Sequence, residues 1–88
     1  MPGPYRVRIT YDAQRGLTHA PPAGLPSALA WAAYTFVTGD LARDPTDVGV
    51  PLGAPLSGLW SARRSGYRVL YEVDEERKVV TVLVVRPA

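Results

Sequence analysis

Between Gly66 and Val73 the residues sort by parity. Tyr67, Val69, Tyr71 and Val73 share one side, and Arg68, Leu70 and Glu72 share the other. A period of two specifies an extended strand with one face against a core. A charged turn follows, Asp74-Glu75-Glu76-Arg77, and then Lys78 to Val85 is nearly continuous Val and Leu. Such a run suits a central strand covered on both faces. This strand-turn-strand unit at the C-terminal end constrains the fold more than any other segment.

Two more strand signals accompany it. Tyr5 to Tyr11 alternates, with Tyr5, Val7, Ile9 and Tyr11 on one face and Arg6, Arg8 and Thr10 on the other; Leu59 to Arg64 is a shorter run. Between them lie two helical signals. The first starts at Ala13, capped by Asp12, with Leu17 facing inward, and the Pro21-Pro22-Ala23-Gly24 break ends it. The second starts near Pro26, a residue suited to a first helical turn because its missing N–H has no partner there. Leu25, Leu29, Ala32 and Phe36 recur at helical spacing, flanked by Ala33 and Val37, and Gly39 marks the stop. Asp44 to Gly58 carries three Pro and three Gly and reads as a long connection.

The order β-α-α-β-β-β predicts an α+β domain spanning residues 1–88. Its expected architecture is a twisted, mainly antiparallel four-stranded sheet with a helical hairpin on the Tyr67/Val69/Tyr71 face. Tyr5, Val7, Ile9, Leu29, Phe36, Val69, Tyr71, Val80 and Val82 are the expected core. The 47% of hydrophobic residues is ordinary for a globular domain. Trp31 and Trp60 are apolar residues that so small a core need not fully cover, which suggests a partner laid across the domain.

Several chemistries are excluded by residue type. Cys is absent, so thiolate chemistry and disulfides are unavailable. His19 is the single histidine, so no Ser-His-Asp triad and no pair of histidines can form, and no metal-ligand cluster is visible. His19 beside a Pro-Pro break reads as a solvated helix end. Glu72, Asp74, Glu75 and Glu76 read as a turn and its flank, which disperses carboxylates rather than converging them. No apolar run approaches the roughly 18 residues of a membrane span. The start Met1-Pro2-Gly3-Pro4 has no basic segment followed by an apolar one, so a cytoplasmic setting is expected.

Nine of the ten basic residues are Arg. Arg63, Arg64 and Arg68 lie across a tight link between two strands, and strand parity sends Arg63 and Arg68 away from the Tyr67 face. Arg86 can join them from the last strand. Guanidiniums gathered on an open sheet face suit a phosphate-rich ligand. The other reading of the same spacing is a salt-bridged surface, with Glu72 neutralising Arg68.

The stretch Gly58-Leu59-Trp60-Ser61-Ala62-Arg63-Arg64-Ser65-Gly66-Tyr67-Arg68-Val69-Leu70-Tyr71-Glu72-Val73 resembles the hallmark of the RelE toxins within the RelE/ParE family, its actinobacterial members above all. Phe36-Val37-Thr38-Gly39-Asp40-Leu41, Asp44-Pro45, Val48-Gly49, Pro51-Leu52 and the opening Tyr5-Arg6-Val7-Arg8-Ile9-Thr10 are similar to the same group, in one register. The resemblance implies a type II toxin that cuts messenger RNA in the ribosomal A site without metal or cofactor, held by a cognate RelB-like antitoxin. It implies Arg68 and Arg63 as catalytic residues, with Arg64, Arg86 and Tyr67 on the RNA. The pattern also departs from the family. The strand positions where members carry Lys hold about Leu59 and Ser61, and Val84-Val85-Arg86-Pro87-Ala88 contains no counterpart of the family's late Tyr. The phosphate clamp is therefore present without an evident general base, since a guanidinium keeps its proton near neutral pH. The alternative is a ParE-like or degenerate toxin that only binds a protein, such as DNA gyrase or its antitoxin.

Overall fold

The computed structural model describes residues 5–88, so the Met1–Pro4 start, considered for a leader, lies outside the described residues. β1 (Arg6–Ile9) leads into α1 (Tyr11–Thr18) and α2 (Ser27–Thr38). A single turn, α3 (Asp40–Arg43), follows directly. Then come β2 (Val50–Pro51), β3 (Leu59–Arg64), β4 (Tyr67–Asp74) and β5 (Val79–Pro87). The sheet order is β1-β5-β4-β3-β2, antiparallel throughout except for the parallel β1/β5 pair.

The α+β class and the expected order hold, and the four expected strands are all present. A fifth strand is added inside the long connection, where Val50 pairs with Ser61 and Pro51 with Trp60. Two residues are too few to show a period, and Pro51 is tolerated because an edge strand leaves one side unpaired.

The first strand is shorter than its alternation suggested. Thr10 leaves the extended run and caps α1, its hydroxyl accepting from the Ala13 amide at 3.2 Å. Thr10, rather than Asp12, is thus the cap, and Tyr11 falls in the first helical turn, largely exposed. Ile9, expected in the core, is 36% exposed because it sits where the chain turns off the sheet.

The core lies between the helices and one sheet face. Val69, Tyr71, Val80, Val82, Ala33 and Val37 are fully buried, with Phe36 and Tyr67 beside them; Tyr5, Val7 and Leu29 pack at its margin. On α2 the buried stripe is Ala33, Phe36 and Val37, and the expected Ala32 is exposed. Trp60 stacks on Tyr71 with ring centroids 6.3 Å apart and is half-buried, whereas Trp31 is 71% exposed. No helix among the described residues is long and apolar enough to cross a membrane.

Candidate functional site: a row of arginines on the open sheet face

Helices cover one face of the sheet, and the other face carries the candidate site. β3 and β4 are joined by Ser65-Gly66, and Gly66 adopts a φ of +94° that only glycine takes without strain. That turn fixes the register: Arg63 stands opposite Arg68, and Arg68 opposite Arg86 on β5. Directly opposed residues project to the same side of a sheet. Tyr67, Val69 and Tyr71 face the helices, so Arg68 and its two neighbours form one row across three strands on the open face.

Arg86 reaches that row because β5 is irregular. Val80 and Val82 face the core, and unbroken alternation would send Arg86 to the same side. The pairing shifts between Leu70 and Tyr71, from Tyr71 with Val82 to Leu70 with Val84, so Leu83 is the extra residue of a β-bulge. Beyond it Val85 is buried and Arg86 turns outward. The Leu83 carbonyl accepts the Thr10 hydroxyl at 2.8 Å, which ties the bulge to the start of α1.

The electrostatics of the row are unbalanced. Among the described residues the ion pairs are Arg43–Asp40 and Arg77–Asp74, and none includes Arg63, Arg68 or Arg86. The salt-bridged alternative for Arg68 and Glu72 is therefore not realised. Four positions apart on β4, their Cα atoms stand roughly 13 Å apart at ordinary strand rise. The Arg68 Nε is buried and has no hydrogen-bond partner. A buried donor left without an acceptor is costly, and an anionic oxygen laid on the row would satisfy it.

Two sequence-expected RNA contacts lie elsewhere. Tyr67 is buried on the helix side, and its hydroxyl donates to the Ala32 carbonyl at 3.4 Å. Arg64 pairs with Tyr67 in the sheet and so projects to that same side. Its guanidinium lies 4.5 Å from the Phe36 ring centroid and donates to the carbonyls of Arg63 at 2.8 Å and Val48 at 3.1 Å. Strand parity explains both placements: neighbours of a residue on the open face belong to the covered face. Conversely, the β1 arginines, Arg6 and Arg8, make up the polar side of their strand. Their register with Val79 and Thr81 puts them on the open face.

The two tyrosines of β4 face away from the row. Burial pushes the Tyr71 phenol up to about 12, against a smaller lowering effect of Arg64, and its hydroxyl donates to the Pro45 carbonyl at 2.6 Å. Burial also raises Tyr67 above the ordinary phenol value.

No protein-family model matches the chain. Curated relatives do. Toxin RelG of Mycobacterium tuberculosis is 45% identical over 80 residues, covering 91% of this chain and 86% of the relative. Toxin RelE of the same organism is 41% identical over 80 residues, covering 91% and 77%. Among solved structures, a chain of the M. tuberculosis toxin–antitoxin complex RelBE2 superposes with a TM-score of 0.84 at 42% identity, over 98% of this chain and 93% of that one. The isolated E. coli RelE toxin gives a TM-score of 0.72 at 22% identity, over 96% and 84%, and supports the fold alone.

Proposed function

The chain belongs to the RelE toxin family, and from that premise we propose that it is the toxin of a RelBE-type toxin–antitoxin system, acting as a metal-independent endoribonuclease on ribosome-bound messenger RNA. The observation that carries the reaction is the Arg63–Arg68–Arg86 row with the orphaned Arg68 Nε at its centre. In this reading the scissile phosphate lies over Arg68. The ribose 2′-hydroxyl attacks phosphorus and loses its proton to solvent, the bond to the 5′-oxygen breaks and that oxygen takes a proton from solvent, and the products are a 2′,3′-cyclic phosphate and a 5′-hydroxyl. Arg68 stabilises the charge that grows on the phosphorane oxygens, and Arg63 and Arg86 hold the same phosphate from either side.

No side chain in the row accepts a proton. The enzyme then supplies electrostatics, and the ribosome supplies the in-line geometry. Free RNA should survive. The test is single-turnover cleavage on programmed ribosomes, with messenger ends mapped by primer extension. Cleavage confined to the A site supports the reading. Growth arrest by a wild-type protein that cuts nothing would replace it with a binding-only toxin.

The antitoxin belongs on the opposite side of the molecule. Similar chains were solved as complexes with antitoxins from M. tuberculosis, E. coli and Pyrococcus horikoshii. In this protein α1 and α2 flank an apolar cleft of about 730 Å³ whose lining includes Ile9, Leu17, Leu25, Trp31 and Tyr34. An amphipathic helix or extended arm of the antitoxin would cover Trp31 there. Protection of Trp31 fluorescence from quenching in the complex checks this placement.

A further inference from the structure

Resting on the RNA-cutting reading, we propose that Arg6 and Arg8 on β1 form a second RNA-phosphate subsite on the open face, separate from the row that holds the reacting phosphate. Arg6 stands in register with Val79 and Arg8 with Thr81. Both arginines are exposed, while Val7 between them turns toward the core. That parity is locked, because a one-residue slip would bury two guanidiniums. The strand is also held at its ends. The Tyr5 amide donates to Ala42 at 3.2 Å, the Arg6 amide to Lys78 at 2.8 Å and the Thr10 amide to Val82 at 3.0 Å.

Among the described residues, no neighbouring carboxylate forms an ion pair with either arginine. Asp74, in register with Val79, is engaged by the Arg77 side chain and amide. Glu75 accepts the Tyr5 hydroxyl. Glu72 lies across Thr81 from Arg8, one strand further away, and forms no ion pair. Two like charges therefore stand side by side on a rigid strand, and neither is in an ion pair among the described residues. From Thr81 to Arg86 is five residues, one of them absorbed by the bulge, so the subsite lies roughly 13 Å along the strand from the reactive row. An RNA strand crosses that distance in a few nucleotides.

The RNA is either the messenger or the ribosomal RNA that surrounds it, and both present the same phosphates. The experiment measures binding of wild type, R6Q/R8Q and R6K/R8K to programmed ribosomes by sedimentation, and cleavage by single turnover, over a range of salt. For R6Q/R8Q the half-saturating concentration should rise roughly tenfold, with the salt slope reduced by about 0.7 for each phosphate no longer neutralised and the saturating cleavage rate unchanged. R6K/R8K should recover most of the slope, because an ammonium keeps the point charge. With a messenger truncated beside the A site, a gap between wild type and R6Q/R8Q that closes assigns the phosphates to the messenger. A gap that persists assigns them to ribosomal RNA, and either supports the subsite. Equal half-saturation and slope for wild type and R6Q/R8Q, in proteins with matching melting curves, overturns it. So does a lysine pair that recovers nothing. A wild type that binds ribosomes and never cuts defeats the nuclease reading instead and leaves the binding comparison intact.

Discussion

Arg63, Arg64 and Arg68 are nearly adjacent in sequence, yet they do different work. Arg63 and Arg68 stand side by side on the open face, while Arg64 lies on Phe36 and ties β3 to the Val48 carbonyl. The two roles separate by measurement. Arg68→Ala should slow single-turnover cleavage a hundredfold or more, about 3 kcal/mol of transition-state stabilisation, with an unchanged melting temperature. Arg64→Ala should do the reverse, lowering stability by about 1 kcal/mol by removing the cation–π stacking and the hydrogen bonds while leaving the saturating rate intact. Equal chemical rates for wild type and Arg68→Ala would remove Arg68 from the mechanism. A slower rate in Arg64→Ala at undiminished stability would return Arg64 to the RNA.

At the level of elements, the site depends on how α1 meets β5. The Thr10 hydroxyl makes two bonds, accepting from Ala13 at the helix start and donating to the bulge carbonyl of Leu83. One hydroxyl thus joins the cap of α1 to the irregularity that turns Arg86 outward. Thr10→Val keeps the shape and removes both bonds, so it should cost about 1–2 kcal/mol in denaturant unfolding. A variant as stable as wild type would show that the cap and the bulge are independent. Gly16 is the second joint. A Cβ there would come within 2.1 Å of the Val85 carbonyl oxygen, so α1 lies directly on the backbone of β5 beside Arg86. Gly16→Val should therefore destabilise by about 1–3 kcal/mol through overpacking, and should weaken cleavage by shifting β5. Wild-type stability in that variant, read from the same unfolding curves, would place α1 further from the sheet.

The molecule as a whole is divided by face: helices, core and apolar cleft lie on one side, and the arginines of the row, in no ion pair among the described residues, lie on the other. Its stability should carry an alkaline signature of the buried phenols. Tyr71 is fully buried and its phenol is pushed up to about 12. A raised folded-state value means that the unfolded chain releases this proton first. The stabilisation is therefore complete below about pH 10 and disappears as pH rises toward 12, about 2–3 kcal/mol in all. Tyr71→Phe should be about 1–2 kcal/mol less stable than wild type at pH 8, because the Pro45 carbonyl is left without its donor. That gap should narrow by pH 11, where wild type alone gives up the phenol's contribution. Parallel stability curves from pH 8 to pH 11 would show that Tyr71 ionises as easily in the folded protein as outside it.

Local pattern was enough for the α+β class, the core face of β4, and the position of Arg63 and Arg68 on the opposite face. These follow from a period of two, which needs only one strand to be legible. The family was legible too, through the Ser65-Gly66-Tyr67-Arg68-Val69-Leu70-Tyr71 run. Tyr67 and Arg64, which the family resemblance and the arginine cluster point to as RNA contacts, lie on the helix-covered side of the sheet, where parity separates them from Arg63 and Arg68. The remainder depended on how distant segments assemble. Arg86 joins the row only through the bulge at Leu83, which no period within β5 announces. Arg6 and Arg8 join the same face only because β1 lies parallel to β5, a pairing across more than seventy residues. The free charge of the row was likewise invisible, since whether Glu72 neutralises Arg68 depends on a distance between side chains, and spacing along a strand allowed both answers.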